Sequence, residues 1–351
     1  MKLTTCEMNH ALRGLTVGLF LLAVSAVGEA NAQVLTPIPS FVDPNGGTTS
    51  VTGINDSGAM TGDISYANGS AVGFVRSPTG TYTTFSAGGA FFTQGHAISN
   101  DGTVSGYTED STLNLLTASE FQRSSGGAIT TLTNPSTGNP LHGIPGGMNG
   151  AGALVGDYYV PRISGETFST RHGYILSGGT LNDLSVSGFY GNLLAARGIN
   201  DAGTVVGFGN NGGAYEGFIL SGGVYTWFTD PSATAPGFGT AFSSINNSGM
   251  IAGSWTDADG NAHAFVFNST TDAFTNIDVP GATNSQALGI NDLGQVVIAT
   301  DLTSGPNNFI YDTVPEPATW GLTMLGVFGI GGTLRWRRIC HSYTSALGAE
   351  G

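Results

Sequence analysis

A short acidic segment in the second half of the chain has the residue types of a cation site. Asp257, Asp259 and Asn261 alternate with small residues, as the first ligands of a calcium loop do. The twelfth position of such a loop calls for a glutamate, and this chain has Asn268 there. The segment also aligns with a hairpin turn of the first repeat, so a glycine-containing turn accounts for it. Calcium is therefore a weak candidate, and the sequence indicates no other metal or cofactor.

The histidines are the next candidates for chemistry, since imidazole transfers protons near neutral pH. His263 has counterparts of unlike chemistry in other repeats, namely Val72, His172, Glu216 and Asn307. His96 and His142 each stand two residues before a repeat isoleucine or its equivalent, where other copies carry Thr52 and Arg197. Because no reaction survives such exchanges, we expect these histidines to have structural roles at strand edges.

Other catalytic patterns are missing from the sequence. A serine hydrolase needs a serine beside a histidine with a carboxylate behind it, and no serine stands out among so many. There is no G-x-S-x-G elbow, phosphate loop, CxxC pair or paired-carboxylate motif. We therefore name no catalytic residue and favour a non-enzymatic function, without excluding an enzyme.

Charge and composition restrict the class of protein. The chain has 351 residues, of which 40% are hydrophobic and only 10% are charged, and this composition excludes a disordered chain. Residues 33–312 contain five Arg against 20 acidic residues, a net charge of −15. Nucleic-acid binding needs cations that displace counterions from phosphate, so we exclude nucleic acid as a partner.

A six-fold repeat dominates the middle of the chain. A phrase of the form G-I-N-D-x-G ends at Gly58, Gly102, Gly152, Gly203, Gly249 and Gly294. The spacings are 44, 50, 51, 46 and 45 residues, and a second Gly follows four residues later in five copies. A period in the mid-forties is typical of a propeller blade or a solenoid unit.

Each repeat divides into four short strands. In the first copy the apolar and turn residues predict strands at 50–54, 59–64, 71–76 and 81–85. The repeat units lie near 50–86, 94–133, 144–184, 196–229, 242–278 and 286–311. Four strands in about 45 residues predict an all-β fold, a six-bladed β-propeller. A β-solenoid or a sandwich array is the alternative.

The last repeat lacks a fourth strand, and an unassigned segment precedes the first. Residues 36–44 resemble the exits of other fourth strands, such as Phe228-Thr229-Asp230-Pro231. We therefore predict that 36–44 complete the sixth blade and close the ring within a domain spanning 33–312. The repeated G-I-N-D-x-G-x-V-x-G, together with Asn261-Ala262-His263-Ala264-Phe265-Val266, resembles the HAF family of extracellular repeats, which implies export but no particular activity.

The amino terminus has the three parts of a secretory signal peptide. Lys2 and Arg13 precede an apolar run at 15–27, and Ala30 and Ala32 form an A-x-A cleavage site for signal peptidase. We predict that 1–32 are removed during secretion; an uncleaved anchor is the alternative. The two Cys residues, Cys6 and Cys340, lie outside 33–312, so the exported domain has no disulfide framework.

The carboxyl terminus has the layout of a sorting signal. Pro315, Glu316 and Pro317 precede an apolar run at 318–334, just long enough for a transmembrane helix, and then Arg335, Arg337 and Arg338. This order, within 313–338, resembles the PEP-CTERM signal of Gram-negative bacteria. The resemblance implies retention at the inner membrane, a cytoplasmic tail at 339–351 longer than usual, and cleavage by an exosortase near Pro315-Glu316-Pro317. A plain tail anchor is the alternative.

Together these patterns predict an exported protein, first anchored in the inner membrane and then placed at the cell surface or in the extracellular matrix of a biofilm. Its expected role is structural or glycan-binding, with exopolysaccharide as the candidate partner. The rival interpretation is an extracellular glycan lyase or hydrolase whose site lies in the propeller channel, because propeller sites assemble from distant loops.

The sorting interpretation predicts different effects for the two parts of the signal. Replacing Arg335, Arg337 and Arg338 together should weaken membrane orientation, because these charges hold the cytoplasmic end. Glu316→Ala should leave insertion intact and block processing. The mass of the extracellular product, in cells with the cognate exosortase, checks this. If the Glu316→Ala protein is trimmed like its parent, the sorting interpretation is wrong and the tail is only a membrane anchor.

Overall fold

The repeated phrase folds into a tight turn between the first two strands of each repeat. Its last glycine has a φ of 78° to 83° in all six copies, a conformation that L side chains rarely adopt. The asparagine three residues earlier folds back onto its own turn. In the first copy Asn55 Oδ1 accepts hydrogen bonds from the N–H groups of Ser57 (3.2 Å) and Ala59 (2.9 Å). The phrase therefore encodes six hairpins.

The computed structural model describes residues 34–313 except 42, 44, 115–116, 161–169, 185–193, 211–213, 235–238 and 303–305. These residues form 24 strands, and they contain no helix that is long and apolar enough to cross a membrane. The predicted signal peptide, the sorting signal and the apolar run at 318–334 lie outside the described residues.

The first half of the described chain forms three four-stranded sheets after a short leading strand. Strand β1 covers Leu35–Pro37. Blade 1 consists of β2 (Thr48–Ile54), β3 (Met60–Ser65), β4 (Ala71–Arg76) and β5 (Tyr82–Phe85). Blade 2 consists of β6 (Phe92–Ile98), β7 (Val104–Glu109), β8 (Ser119–Arg123) and β9 (Ile129–Thr131). Blade 3 consists of β10 (Gly143–Met148), β11 (Leu154–Val160), β12 (Thr170–Ser177) and β13 (Thr180–Asp183).

The second half forms three more sheets, and the last one borrows β1. Blade 4 consists of β14 (Leu194–Ile199), β15 (Val205–Asn210), β16 (Tyr215–Ser221) and β17 (Val224–Phe228). Blade 5 consists of β18 (Thr240–Ile245), β19 (Met250–Thr256), β20 (Ala262–Asn268) and β21 (Ala273–Ile277). Blade 6 consists of β22 (Ser285–Ile290), β23 (Gln295–Thr300) and β24 (Asn308–Asp312), with β1 as its outer strand.

The six sheets close into a ring around their first strands. Neighbouring strands within each blade pair antiparallel, and a single parallel bridge between Ala71 and Phe92 links blades 1 and 2. Each first strand contacts the first strands of both neighbouring blades, including β22 with β2 across the ends of the array. The prediction of an all-β, six-bladed propeller is confirmed.

The closing strand lies slightly earlier than the predicted segment 36–44. Strand β1 pairs with β24 through Leu35↔Tyr311, Thr36↔Ile310 and Pro37↔Phe309. The Ile38 N–H then donates to the carbonyl of Asn308 (2.9 Å), after which Pro39, lacking an N–H, cannot extend the ladder. The rest of the predicted segment returns toward blade 1, where the Phe41 N–H donates to Thr49 Oγ1 (3.1 Å).

The second glycine of the repeat lets the chain pack closely within the five blades that have it. A Cβ at Gly62 would lie 1.9 Å from the carbonyl oxygen of Ser50, and one at Gly207 would lie equally close to that of Ala195. An aromatic side chain of the third strand covers each of these glycines. The five pairs are Gly62–Phe74, Gly106–Phe121, Gly156–Tyr174, Gly207–Phe218 and Gly253–Phe265. These aromatic residues are almost fully buried and form the core of their blades.

A ring of asparagine side chains joins the blades at the turn face. Asn291 Nδ2 donates to the backbone carbonyl of Asn55 (3.0 Å), linking the last repeat to the first. The same bond recurs as Asn55 to Ser99 (2.9 Å), Asn149 to Asn200 (3.2 Å), Asn200 to Asn246 (3.4 Å) and Asn246 to Asn291 (3.0 Å). Each amide accepts from its own turn and donates to the next blade. Aspartate could not replace it, because an ionised carboxylate has no donor.

The next residue of the phrase adds a second layer of bonds between blades. The Asp292 N–H donates to Asp56 Oδ1 (2.7 Å), and the Asn247 N–H donates to Asp292 Oδ1 (2.7 Å). Asn247 Nδ2 also donates to carboxylates on both sides, those of Asp201 (2.9 Å) and Asp292 (2.7 Å). The carboxylates of Asp56, Asp201 and Asp292 are therefore engaged in joining neighbouring blades.

The seam between blades 2 and 3 differs from the other five. The second copy has Ser99 where the others have asparagine, and its hydroxyl donates to Asp101 and to Thr103 of its own turn. This seam uses other contacts, including Ser105 Oγ to the carbonyl of Gly146 (2.8 Å). The amide ring is thus complete except at Ser99.

The amide ring predicts opposite effects for two substitutions. Asn291→Ala removes a buried bond between blades and leaves the Asn55 carbonyl without this donor, so we expect a loss of about 1–3 kcal/mol. Ser99→Asn can supply the sixth bond and should raise the melting temperature. Thermal unfolding followed by circular dichroism measures both, with Asn68→Ala in an exposed hairpin as control. Equal melting temperatures for Asn291→Ala and Asn68→Ala would contradict a closing role for the ring.

Candidate functional site

The two ends of the channel differ in chemistry. At the turn face, the asparagine and aspartate residues of the repeated phrase line an open cavity of about 510 Å³. Their side chains are largely committed to bonds between blades. The opposite face carries the ends of the second strands and the starts of the third strands. Aromatic and ionisable side chains without counterparts in every blade meet on that face.

Blade 5 holds one such group, the blade 5 cluster, made of Trp255, Asp257, His263 and Asn276. The rings of Trp255 and His263 stack with centroids 4.3 Å apart and an angle of 21° between planes. His263 Nε2 lies 2.8 Å from Asp257 Oδ2, and Trp255 Nε1 donates to Asn276 Oδ1 (3.1 Å). About a third of the His263 side chain is exposed. The cluster therefore presents an aromatic surface bordered by polar atoms.

Blade 3 repeats this arrangement in the blade 3 cluster, made of Tyr158, His172 and Asp183. Tyr158 and His172 occupy the same paired positions as Trp255 and His263. The Tyr158 hydroxyl donates to Asp183 Oδ2 (3.0 Å), and His172 Nδ1 lies 2.9 Å from the same oxygen. Burial, with the Asp183 hydrogen bond second, raises the pKa of Tyr158 to about 12. The hydroxyl therefore stays protonated at neutral pH.

Blade 4 lacks the cluster. Glu216 takes the place of the histidine there and pairs with Gly209 instead of an aromatic residue. Its carboxylate accepts a long hydrogen bond from Thr229 Oγ1 (3.4 Å). His263 and His172 thus lie at strand edges, as the sequence predicts, but each also has an aromatic and an acidic partner.

The candidate calcium ligands Asp257, Asp259 and Asn261 form a hairpin turn. Asp257 Oδ1 accepts the N–H groups of Asp259 (2.9 Å) and Asn261 (2.8 Å), and its Oδ2 contacts Asn261 Nδ2 and His263. The hydrogen bond to His263, followed by those to Asn261, lowers the pKa of Asp257. Among the described residues no group of three or more His, Cys, Asp or Glu side chains could hold a metal ion.

A buried ionic group, the channel cluster, joins blades 3 and 4. Asp157 is completely buried, and its carboxylate pairs with both Arg171 and Arg197. Arg171 binds through Nε and Nη2, whereas Arg197 binds through Nη1. Two guanidinium groups thus share one carboxylate in a site that water barely reaches.

His96 and Arg197 occupy an extra residue in the first strand of their blades. Each first strand has a register shift at this level, which adds one residue between the paired positions. Burial in the narrow channel, and then the charges of Arg197 and Arg171, lower the pKa of His96 to about 3. His96 is therefore neutral at physiological pH.

The repeat alignment that placed His142 beside His96 is wrong. The shift in blade 3 falls between Pro145 and Met148, so the position equivalent to His96 lies at Gly146 or Gly147. His142 precedes β10, and its Nδ1 lies 2.9 Å from the carbonyl of Ala118. The proline in this strand obscured the repeat pattern.

A buried carboxyl group borders the channel cluster on its other side. Glu120 is fully buried, and Tyr174 donates its hydroxyl to Glu120 Oε2. Burial raises the pKa of Glu120 to about 8, against the lowering effect of the Tyr174 bond. Oε1 has no hydrogen-bond partner within the described part of the chain. Glu120 is therefore largely protonated at neutral pH.

Sequence reasoning missed the channel cluster because its members come from different strands and from two blades. Asp157, Arg171 and Arg197 belong to three strands, and no spacing rule brings them together. One signal was available: Arg171 and Arg197 are two of only five Arg residues in 33–312. Another was the aromatic residue two positions after the second repeat glycine in copies three and five. Ala30, Ala32, Pro315 to Pro317 and the terminal Arg residues lie outside the described residues.

Comparison with known proteins gives structural likeness at low identity. The chain matches no protein-family model and no curated protein. The propeller domain of the trilobed protease from Pyrococcus furiosus is 10% identical, with 77% of this chain and 97% of that chain covered and a TM-score of 0.46. Aleuria aurantia lectin, a six-bladed fungal lectin that recognises fucose, is 12% identical, with coverage of 80% and 100% and a TM-score of 0.47. At these values neither carries a functional inference to this chain.

The protonation of Glu120 predicts a pH-dependent stability difference. Between pH 4.5, the ordinary pKa, and about 8, the folded protein keeps a proton that the unfolded chain releases, so stability falls as pH rises. Glu120→Gln cannot ionise and should escape this loss. Melting temperatures of the two proteins should differ most near pH 8, with the variant more stable, and should converge near pH 4.5. A constant difference across this range would show that Glu120 is not the titrating group.

Proposed function

We propose that this protein is an exported propeller that binds neutral glycans at the cell surface or in the exopolysaccharide matrix. The observation that supports it is the repeated arrangement of an aromatic ring, a histidine and a polar partner in blades 3 and 5. Export and exosortase sorting remain predictions from the terminal segments. They supply the compartment in which such a ligand is found.

The chemistry of the two clusters suits a sugar. A pyranose ring has an apolar face of C–H groups, which packs against the electron-rich face of an aromatic ring. Its hydroxyl groups need donors and acceptors at the edge of that ring. Asp257 and His263 lie there in blade 5, and Asp183 and His172 in blade 3. Two clusters on one face allow one polymer to bind twice, which raises its apparent affinity.

The charge of the domain favours neutral over acidic glycans. Residues 33–312 have a net charge of −15, and both clusters include a carboxylate. Such a surface repels polyanions, so uronate-rich polymers are poor candidates for the exposed clusters. We therefore assign them to neutral sugars of the matrix.

One observation favours the rival interpretation, a glycan lyase or hydrolase in the channel. Arg197 lies close enough to His96 and to Tyr107 for its charge to lower the pKa of each. However, the cavity beside Arg197 is only about 80 Å³, well below the roughly 300 Å³ of typical ligand sites. The first strands also approach closely: a Cβ at Gly53 would lie 3.1 Å from Ala97 Cα. Glycan binding at the blade 3 and blade 5 clusters is therefore the better-supported function.

Glycan binding can be tested with a panel of neutral and uronate-containing oligosaccharides. The purified protein should bind at least one neutral member. Trp255→Ala and Tyr158→Ala should each weaken binding roughly tenfold, since a lost stacking contact costs about 1 kcal/mol or more. The double variant should abolish it. Glu216→Ala, at the position of blade 4 that corresponds to His263 and His172, is the control and should bind as the parent does.

Two results would contradict the proposal. One is a parent protein that binds no member of the panel, and the other is a double variant that binds as tightly as the control. Depolymerisation of any glycan by the parent would favour the rival interpretation. Circular dichroism of each variant checks that the fold is retained.

A further inference from the structure

The channel cluster carries more positive charge than its acidic partner neutralises. Arg171 and Arg197 both pair with Asp157, whose side chain is 0% exposed, while the arginine side chains are only 12% and 9% exposed. A buried charge without a counterion is costly, because it loses the solvation that water supplies. The cluster therefore needs a further anion or an opening to water.

Within the described part of the chain, the other carboxyl groups do not supply that anion. Glu120 is near enough to act on the pKa of Arg197, but burial raises its own pKa to about 8, which favours the protonated form at neutral pH. Asp63 and Glu109 lie toward Tyr107, and Asp63 is already bonded to Gln94 Nε2 (2.7 Å) and to Ser65. Asp157, and not Asp63 or Glu109, is the aspartate or glutamate whose charge raises the pKa of both Arg171 and Arg197.

Arg197 borders a cavity of suitable size on the propeller axis. The cavity of about 80 Å³ is lined by Arg197, His96, Thr52 and Ser243, and by Gly147 and Gly289. Arg197 Nη1 is directed to Asp157 and to the carbonyls of Ile144 (3.3 Å) and Ala196 (3.4 Å). A water molecule occupies about 30 Å³ of liquid, so the space admits a small ion with one or two waters.

We propose that this axial cavity binds one small monovalent anion, a halide or a short carboxylate, beside Arg197. The anion completes the charge balance of the Asp157–Arg171–Arg197 group. All six blades contribute to the lining of this cavity, through Thr52, His96, Gly147, Arg197, Ser243 and Gly289. This site is separate from the blade 3 and blade 5 clusters that are proposed to bind glycans, and neither proposal depends on the other.

Anion binding should stabilise the folded protein in a way that one arginine controls. An anion that binds only the folded state raises the melting temperature. We expect chloride, bromide and formate, compared at one ionic strength, to raise it by several degrees over gluconate, which is too large for the cavity. If chloride and bromide raise the melting temperature and formate does not, the cavity binds halides. If only formate raises it, the cavity binds a short carboxylate. Anomalous scattering from bromide in crystals should place the ion beside Arg197.

Two variants and a control separate this effect from general salt effects. Arg197→Gln removes the surplus charge and should abolish the anion-specific difference. Ser243→Val keeps all charges but fills the cavity, so it should also abolish the anion-specific difference. This variant provides the test if Arg197→Gln does not fold. Arg76→Gln is a control in blade 1, where Arg76 lies over Tyr82 instead of in the channel. The proposal is overturned if the parent has the same melting temperature in all four anions. It is also overturned if both channel variants keep the parent's difference in melting temperature between the small anions and gluconate.

Discussion

The asparagine amide of the repeated phrase is the group on which the ring depends. A propeller blade has no covalent link to its neighbour except one loop, so the blades need bonds that repeat at every seam. Asparagine can accept from its own turn through Oδ1 and donate to the next blade through Nδ2, as Asn55 and Asn246 do. The bond from Asn291 to Asn55 closes the circle between residues 236 positions apart.

Close approach of the blades follows from this ring and limits what the channel can do. The first strands carry small residues where they face one another, so the space beside Arg197 is only about 80 Å³. A sugar ring is too large for this space, which is why we propose the blade 3 and blade 5 clusters, where Tyr158 and Trp255 border polar side chains, as the glycan sites. The space beside Arg197 leaves room for waters and small ions.

The few arginine residues of the domain are distributed unevenly between its interior and its surface. Two of the five arginines in 33–312 are used for one buried carboxylate, Asp157, although the domain is strongly acidic. The exposed surface keeps the negative charge, which favours solubility and disfavours polyanions. The interior, in contrast, has a positive surplus at the seam of blades 3 and 4.

The sequence by itself determined the features that repeat. The turn glycines, the second glycines and the alternation of apolar residues are local, so six hairpins and a propeller could be predicted from spacing alone. The closing strand was placed a few residues too late, because pairing of β1 with β24 depends on contacts across almost the whole domain. His142 was misaligned because Pro145 interrupts the pattern of its copy. Only the tertiary structure brought Asp157, Arg171 and Arg197 together, or gave His263 its neighbours Trp255 and Asp257. These groups occur once or twice, and their geometry depends on how whole blades pack, which no short-range pattern encodes.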